Sequence, residues 1–415
     1  MKRNDWITIL IFILLFISIR SIYYGNVFKF IYDQVASSIV VLELWQNKDV
    51  SLIGPPMSLT IGNRQLFFGG VSYYIQMAFL LIGKWDPFWS TYSFMLFSAS
   101  MIIPLYIGVK KLINRTSAIS MSIVYTLLPF YIEGTTQLWN PYFQLALLPG
   151  FILLMAFFSK KQSPLLALSL GVYIGILFQL HYQFLIVMVG LAVYYFLVKK
   201  ISWKLSLFAA VGIIIGFGNM ILFELRNDFY TIRTLIIFFQ QSEKIASHPQ
   251  ADYYFMSILF FGLLVVLYYA RKYISFKINT VLFIILALLA IEYTIISGHN
   301  KNYPKDWYYE NDKQVFQIIQ DNYLNSDIRD FNIFQFYAAT GDTQKYYMKL
   351  NNIDINFNDY YNNEYLYIVY KNDLNYMEDA AYEVNTFTPH HLINIWNINS
   401  EYNLYLLKRD ILNSS

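Results

Sequence analysis

Apolar stretches recur along the first three hundred residues, near 6–22, 88–109, 117–134, 142–158, 164–181, 184–198, 203–222, 254–270 and 278–296. Each is on the scale of the roughly 20 residues that an α-helix needs to cross a hydrocarbon layer. The pattern predicts about nine transmembrane helices. The run 71–83 lies between Gly69-Gly70 and Lys84-Trp85-Asp86-Pro87 and is too short to cross. It is predicted to lie in the interface plane. The first run, from Trp6 to Ile22, lacks a small-residue cleavage site and is expected to be a retained span.

Charge orients these spans, because cytoplasmic loops collect Lys and Arg near span ends. With nine spans the inner loops hold Lys2 and Arg3; Lys110, Lys111 and Arg115; Lys160 and Lys161; Lys199, Lys200 and Lys204; and Arg271, Lys272 and Lys277, with Asp5 as the one acidic residue. This sets the N-terminus inside and the tail outside, in a plasma or inner membrane. The inner loops are short and contain no Gly-rich phosphate cradle, so no cytoplasmic nucleotide-binding domain is expected.

The predicted domains are a transmembrane region 1–297, with outer loops 23–70 and 223–253, and a tail 298–415. In the tail, Val315, Ile318, Ile319 and Tyr323 have helical spacing within 312–324, while 331–336, 365–370 and 404–407 read as strands. The fold class is therefore a polytopic α-helical membrane protein with a small C-terminal extracytoplasmic α/β domain.

Composition agrees, with 57% hydrophobic and 14% charged residues. The tail carries 9 Lys and Arg against 16 Asp and Glu, and repels phosphate backbones. Nucleic acid is therefore excluded as a partner. The absence of cysteine removes disulfides and thiolate chemistry.

Ionisable and amide groups are costly inside a membrane, and here they gather at the predicted outer ends of the spans. They are Arg20, Asp33, Glu133, Gln137, Asn140, Gln179, His181, Glu224, Arg226 and Glu292. Asp33 precedes a stretch, Gln34 to Gln46, in which Val35, Ile39, Leu42 and Trp45 are amphipathically spaced. Its carboxylate suits either a general base or an N-cap. Asn140-Pro141 has the pattern of an ordinary helix start. His181, beside Tyr182, fits a metal or phosphate ligand or an aromatic belt. Glu224 and Arg226 suit a local ion pair; alternatively Arg226 with Arg233 suits a lipid phosphate. Arg20 and Glu292 are expected to be interfacial or snorkelling.

Six short motifs in order carry a resemblance: Tyr32-Asp33-Gln34, Gly54-Pro55-Pro56, Phe68-Gly69-Gly70-Val71-Ser72-Tyr73-Tyr74, Trp139-Asn140-Pro141, Gln179-Leu180-His181-Tyr182 and Phe223-Glu224-Leu225-Arg226. The chain resembles bacterial family 39-type membrane glycosyltransferases of the GT-C fold, relatives of the dolichyl-phosphate-mannose protein mannosyltransferases and of the aminoarabinose transferase. The likeness spans roughly residues 1–240. It implies that Asp33 matches the family's catalytic aspartate and that 34–46 and 71–83 match its two juxtamembrane helices. Many relatives have Glu where Gln34 stands, and some have Asp where Asn140 stands.

The resemblance implies a polyprenyl-phosphate sugar as donor and a protein, lipid or glycan hydroxyl as acceptor. Asp33 would be the base of an inverting transfer. Gln34, Arg64, Asn140, His181, Tyr182, Glu224, Arg226 and Arg233 are the candidate substrate contacts. No cofactor is required by the sequence, although a divalent cation is admitted, with His181 as its candidate ligand. A transporter or flippase of lipid-linked sugars is the alternative; its marks would be inverted repeats and broken helices with polar groups at mid-membrane.

Overall fold

Among the described residues every one of these apolar stretches falls on helix, and the short polar side chains between them explain where the helices begin. The computed structural model describes residues 2–61, 64–195, 201–240, 255–298, 303–336, 341–353, 362–372 and 382–410. In chain order come α1 (Arg3–Ile22), α2 (Tyr24–Val27), α3 (Asp33–Asn47), β1 (Ile53–Ile61), β2 (Arg64–Gly69), α4 (Val71–Ile82), α5 (Pro87–Ser100) and α6 (Ile102–Leu112). Next are α7 (Arg115–Leu127), α8 (Pro129–Gly134), α9 (Asn140–Lys160), α10 (Pro164–Leu180), α11 (Phe184–Val193), α12 (Trp203–Gly216), α13 (Gly218–Arg226) and α14 (Tyr230–Gln240). The remainder are α15 (Met256–Ala270), α16 (Phe276–Glu292), α17 (Tyr309–Asn325), β3 (Phe331–Gln335), α18 (Asp342–Leu350), β4 (Tyr365–Lys371), α19 (Tyr382–Asn385), β5 (His390–Asn397) and β6 (Tyr402–Arg409). Lys199, Lys200, the last residues of the 184–198 stretch and the 241–254 part of the second outer loop lie outside the described residues.

Asn114, Ser163, Ser202 and Ser275 each accept a backbone N–H of the first turn of α7, α10, α12 and α16. All four caps stand beside the Lys/Arg clusters. At the same end, buried Asp5 accepts Lys110 Nζ at 2.6 Å and Tyr106 Oη at 3.0 Å, with Arg115 Nε at 3.5 Å. The start of α1 and the α6–α7 turn therefore share one end of the bundle, as the charge pattern requires.

The chain divides into two compact units, Met1–Tyr24 with Leu44–Thr294, and Gly25–Glu43 with Ile295–Ser415. Among the described residues, four helices are long and apolar enough to cross a membrane: Arg3–Ile22, the run Pro87–Leu112, Asn140–Lys160 and Phe276–Ser297. A fifth is the pair α12–α13, bent by 64°. The stretch 117–134 is not one helix. Pro129 cannot continue the hydrogen-bond ladder, so α7 ends at Leu127 and α8 starts anew.

Helices α10 and α12 approach closely because both carry Gly-x-x-x-Gly, Gly171/Gly175 and Gly212/Gly216. A Cβ on Gly171 would lie 2.9 Å from Gly212 Cα, and one on Gly175 would lie 2.9 Å from Gly216 Cα. At the end of α12, Gln179 donates to the Gly216 carbonyl at 2.5 Å, satisfying an acceptor that the bend releases. The loop 23–70 is also more structured than predicted, since β1 and β2 form an antiparallel hairpin that pairs Ile53 with Gly69 and Ile61 with Arg64.

The smaller unit is built on a sheet of order β3-β4-β6-β5. β3 and β4 run parallel, joined through α18, and β6 is antiparallel to both β4 and β5. Phe334, Leu366, Ile368, Val384, Phe387, Tyr405 and Leu407 form one core. The segment Gly25–Glu43 is part of this unit: Phe28 meets Tyr309 at 4.9 Å, Phe30 meets Tyr346 at 5.2 Å, Thr343 Oγ1 donates to Phe30 O at 3.0 Å, and Glu43 pairs with Lys349 at 2.9 Å. The predicted helix and the three predicted strands are present. α18 and β5 were not read from the sequence.

Candidate functional site

Asp33 is the first residue of α3, and Tyr32 before it has φ 48°, a left-handed conformation uncommon for a bulky side chain. Among the described residues the Asp33 carboxylate accepts no hydrogen bond from the open first turn of its own helix, so it is not spent as an N-cap. The residue is exposed. Protein packed around the carboxylate nevertheless raises its pKa above the ordinary value, with nearby Lys29 opposing. Gln34 is buried and does not share the exposed face of Asp33. Both belong to the smaller unit, whereas the other seven candidates belong to the larger.

In the larger unit, α9 and the end of α10 are joined by amides. Asn140 Nδ2 donates to Leu180 O at 3.1 Å, and Gln144 Nε2 donates to Leu177 O at 2.7 Å and His181 O at 2.9 Å. Gln144 Oε1 accepts Ser257 Oγ at 2.5 Å. Asn140 takes a carbonyl at the end of α10, while Gln144 adds a second donor to the Leu177 and His181 carbonyls beside the backbone N–H of His181 and Phe184. Asn140 is thus a clasp on α10 as well as the first residue of α9. Gln144 was not singled out in the sequence; its place one turn after Asn140, inside an apolar helix, is the signal that could have found it.

His181 is 3% exposed, its ring 5.3 Å from that of Phe68, and its Nδ1 accepts Gln183 N–H at 3.4 Å. Tyr182 Oη donates to Phe67 O at 2.6 Å, fixing β2 to the end of α10. Gly69 follows in β2, and a Cβ there would overlap the Gln179 side chain. The motifs 68–74 and 179–182 are therefore one packed junction. Among the described residues no group of three or more His, Asp or Glu side chains could hold a metal.

Two expected pairings take a different form. Glu224 accepts the backbone N–H of Thr231 at 3.1 Å and of Ile232 at 3.4 Å, capping α14 rather than pairing with Arg226. Two open donors at a helix start outcompete one exposed guanidinium for a buried carboxylate. Arg226 and Arg233 stay exposed and form no ion pair among the described residues. Arg64 stands over the Tyr230 ring at 5.7 Å, and Tyr230 Oη accepts Gln65 N–H at 3.1 Å. Arg20 does not snorkel: it is fully buried, donating to Thr135 Oγ1 at 2.8 Å and Thr126 O at 2.9 Å. The helix break before Pro129 supplies that acceptor. Glu133 is also buried, with Gln137 Nε2 and Tyr142 Oη each 3.4 Å from its Oε1.

No protein-family model matches the chain, and no curated protein matches it. Among solved structures it is similar in fold to ArnT from Cupriavidus metallidurans bound to undecaprenyl phosphate, with 12% identity and a TM-score of 0.46 over 72% of this chain and 57% of that one. The apo state of ArnT gives 12% identity and a TM-score of 0.45 over 71% and 57%. The chain spans little more than half the length of the structures it matches. By its own elements the chain is a mostly helical protein with helices long and apolar enough to cross a membrane, and with a small α/β unit.

Proposed function

We propose that this chain is a membrane glycosyltransferase that moves a sugar from a polyprenyl-phosphate donor to an acceptor hydroxyl at the outer face of the membrane. The observation that carries the reading is Asp33: an exposed carboxylate, unused as a cap, at the head of a helix following the first span. Asp33 takes the acceptor proton as the hydroxyl oxygen bonds to the anomeric carbon, while the bond from that carbon to the phosphate oxygen breaks with inversion. The electron pair leaves on polyprenyl phosphate. General-base help of this kind contributes about 10²- to 10⁴-fold.

The departing phosphate gains charge and needs cationic or N–H donors. Among the candidate contacts that the resemblance names, Arg64, Arg226 and Arg233 form no ion pair with a carboxylate among the described residues. Of the other candidates, His181 and Tyr182 pack against β2, and Asn140 and Glu224 hold helix ends. The residue order of the six motifs supports the GT-C reading, and the outer-face orientation follows the charge bias of the loops.

The alternative, a transporter of lipid-linked sugars, draws on the bend at α12–α13, a broken helix that the sequence did not reveal. Against it, the carbonyl released there is already engaged by Gln179. Purified protein in liposomes with a radiolabelled polyprenyl-phosphate sugar separates the two. Release of polyprenyl phosphate in step with labelled acceptor is the enzyme's result, and movement of intact donor across the bilayer is the transporter's.

A further inference from the structure

A cavity of about 290 Å³ lies between α9, α10, α11 and α12, in the half of these helices nearest the Lys/Arg clusters. Its wall on α9 runs from Phe151 to Phe158, just before Lys160, and its walls on α10 and α12 begin at Ala167 and Ser206, one turn past the caps Ser163 and Ser202. The gap has a cause in the sequence. Gly171 and Gly212 bring the backbones of α10 and α12 together, and beside that contact stand Ala167, Ala209 and Ala210, whose side chains are too short to close the space.

Among the described residues the cavity is open at one side. Ala192 of α11 and Ala210 of α12 line it and are themselves exposed, so its mouth faces outward between those two helices. Their exposed neighbours Val189, Val193, Val211 and Ile214 make the mouth apolar. The two polar lining residues are already engaged, Tyr195 Oη with Ser159 Oγ at 3.4 Å, and Ser206 Oγ donating to Ser202 O at 3.3 Å. A sugar or a phosphate would find no hydrogen bond inside, so the guest that fits is a hydrocarbon chain. Apolar cavities stay dry, and one of about 150 Å³ already admits benzene.

The surroundings identify the source of that chain. α9 is long and apolar enough to cross a membrane, and so is the bent pair α12–α13, which puts the mouth in lipid hydrocarbon. Charge then selects the headgroup. Lys160 and Lys161 follow the lining residue Phe158 by two and three positions, and Lys204 stands between the lining residues Ile201 and Ser206. None of the three lysines forms an ion pair among the described residues.

We propose that this cavity is a lipid site that holds one acyl chain of an anionic phospholipid from the leaflet at the basic end of the bundle. The chain enters sideways between α11 and α12 and fills the space beside the α10–α12 contact, while its phosphate lies at the level of Lys160, Lys161 and Lys204. Asn140, His181 and Glu224 stand at the opposite ends of these helices, so the lipid site is separate from the proposed transfer and does not rest on it.

The test uses the full-length protein in phosphatidylcholine vesicles that contain a trace of phosphatidylglycerol with a diazirine on one acyl chain. After irradiation, label is expected on peptides covering 151–158, 188–195 and 206–213, several-fold above the exposed Ile284 and Leu288 face of α16, which reports bulk lipid. Ala192→Phe and Ala210→Phe fill the mouth from its exposed side and should each reduce that label several-fold in monodisperse protein. Diazirine phosphatidylcholine should label several-fold less, and the combined Lys160→Gln, Lys161→Gln and Lys204→Gln variant should remove the difference. Label no higher than on α16, full label in both Phe variants, or equal labelling of the wild type by the two headgroups overturns the proposal. So does displacement of the label by unlabelled polyprenyl phosphate, which gives the cavity to the donor's chain.

Discussion

Replacing Asp33 with asparagine separates chemistry from structure more sharply than any other change, because the two roles open to this aspartate predict opposite stability effects. An N-cap aspartate loses about 1 kcal/mol when its acceptor is removed. Here the carboxylate caps nothing among the described residues, so that loss is absent. The raised pKa gives the sign of what remains. A carboxyl whose folded pKa lies above its unfolded value adds stability only below the unfolded value and loses it as the pH rises through the folded one. At neutral pH the charge is therefore carried at a cost, and Asp33→Asn is expected to leave the melting temperature in detergent unchanged or slightly higher. Transfer, which needs the base, is expected to fall by at least about 10²-fold. The acidic limb of wild-type kcat/KM should lie above the ~3.9 of a free aspartate and disappear in the variant. A clear drop in melting temperature, or near-normal transfer by folded Asp33→Asn, would refute the reasoning.

Three further outcomes follow from the geometry. Gln144→Leu removes the acceptor of the Ser257 hydroxyl and one donor each from the Leu177 and His181 carbonyls, which keep the backbone N–H of His181 and Phe184, and should cost about 1–3 kcal/mol in all, read as a lower thermal midpoint in detergent. Gly212→Leu forces the α10–α12 contact apart and should cost about 1–3 kcal/mol or more, with loss of monodisperse protein on size exclusion, whereas Gly190→Leu, which meets open space, should not. Glu224→Ala should speed hydrogen exchange at Thr231 and Ile232 while Arg226→Ala leaves it alone and weakens donor binding; equal effects on exchange would restore the ion-pair reading.

The sequence by itself determined the parts that depend on composition and period. Stretches of some twenty apolar residues have few alternatives to membrane helix, and Lys/Arg clusters mark one end of them, so the helices and the shared end of Asp5, Lys110 and Arg115 were legible. So were α17 and the strands β3, β4 and β6, whose apolar positions repeat with the right spacing. Asp33 was legible as a carboxylate past the first span, but not as one that caps nothing.

Tertiary structure decided what each polar group faces. Arg20 and Glu224 looked alike as charges at span ends, yet one is entombed at the Pro129 break and the other holds the start of α14. Asn140 and Gln144 became clasps only because α10 ends beside α9. The physical reason is that a buried polar group takes whatever open donor or acceptor the fold brings to it: for Glu224 those partners are 7 and 8 residues away across a turn, and for Asn140 and Arg20 they are 40 and 115 residues away, beyond the reach of any local pattern. The exposure of β5 has the same origin: an apolar run predicts burial, and only the order of strands in the sheet places this one at an edge.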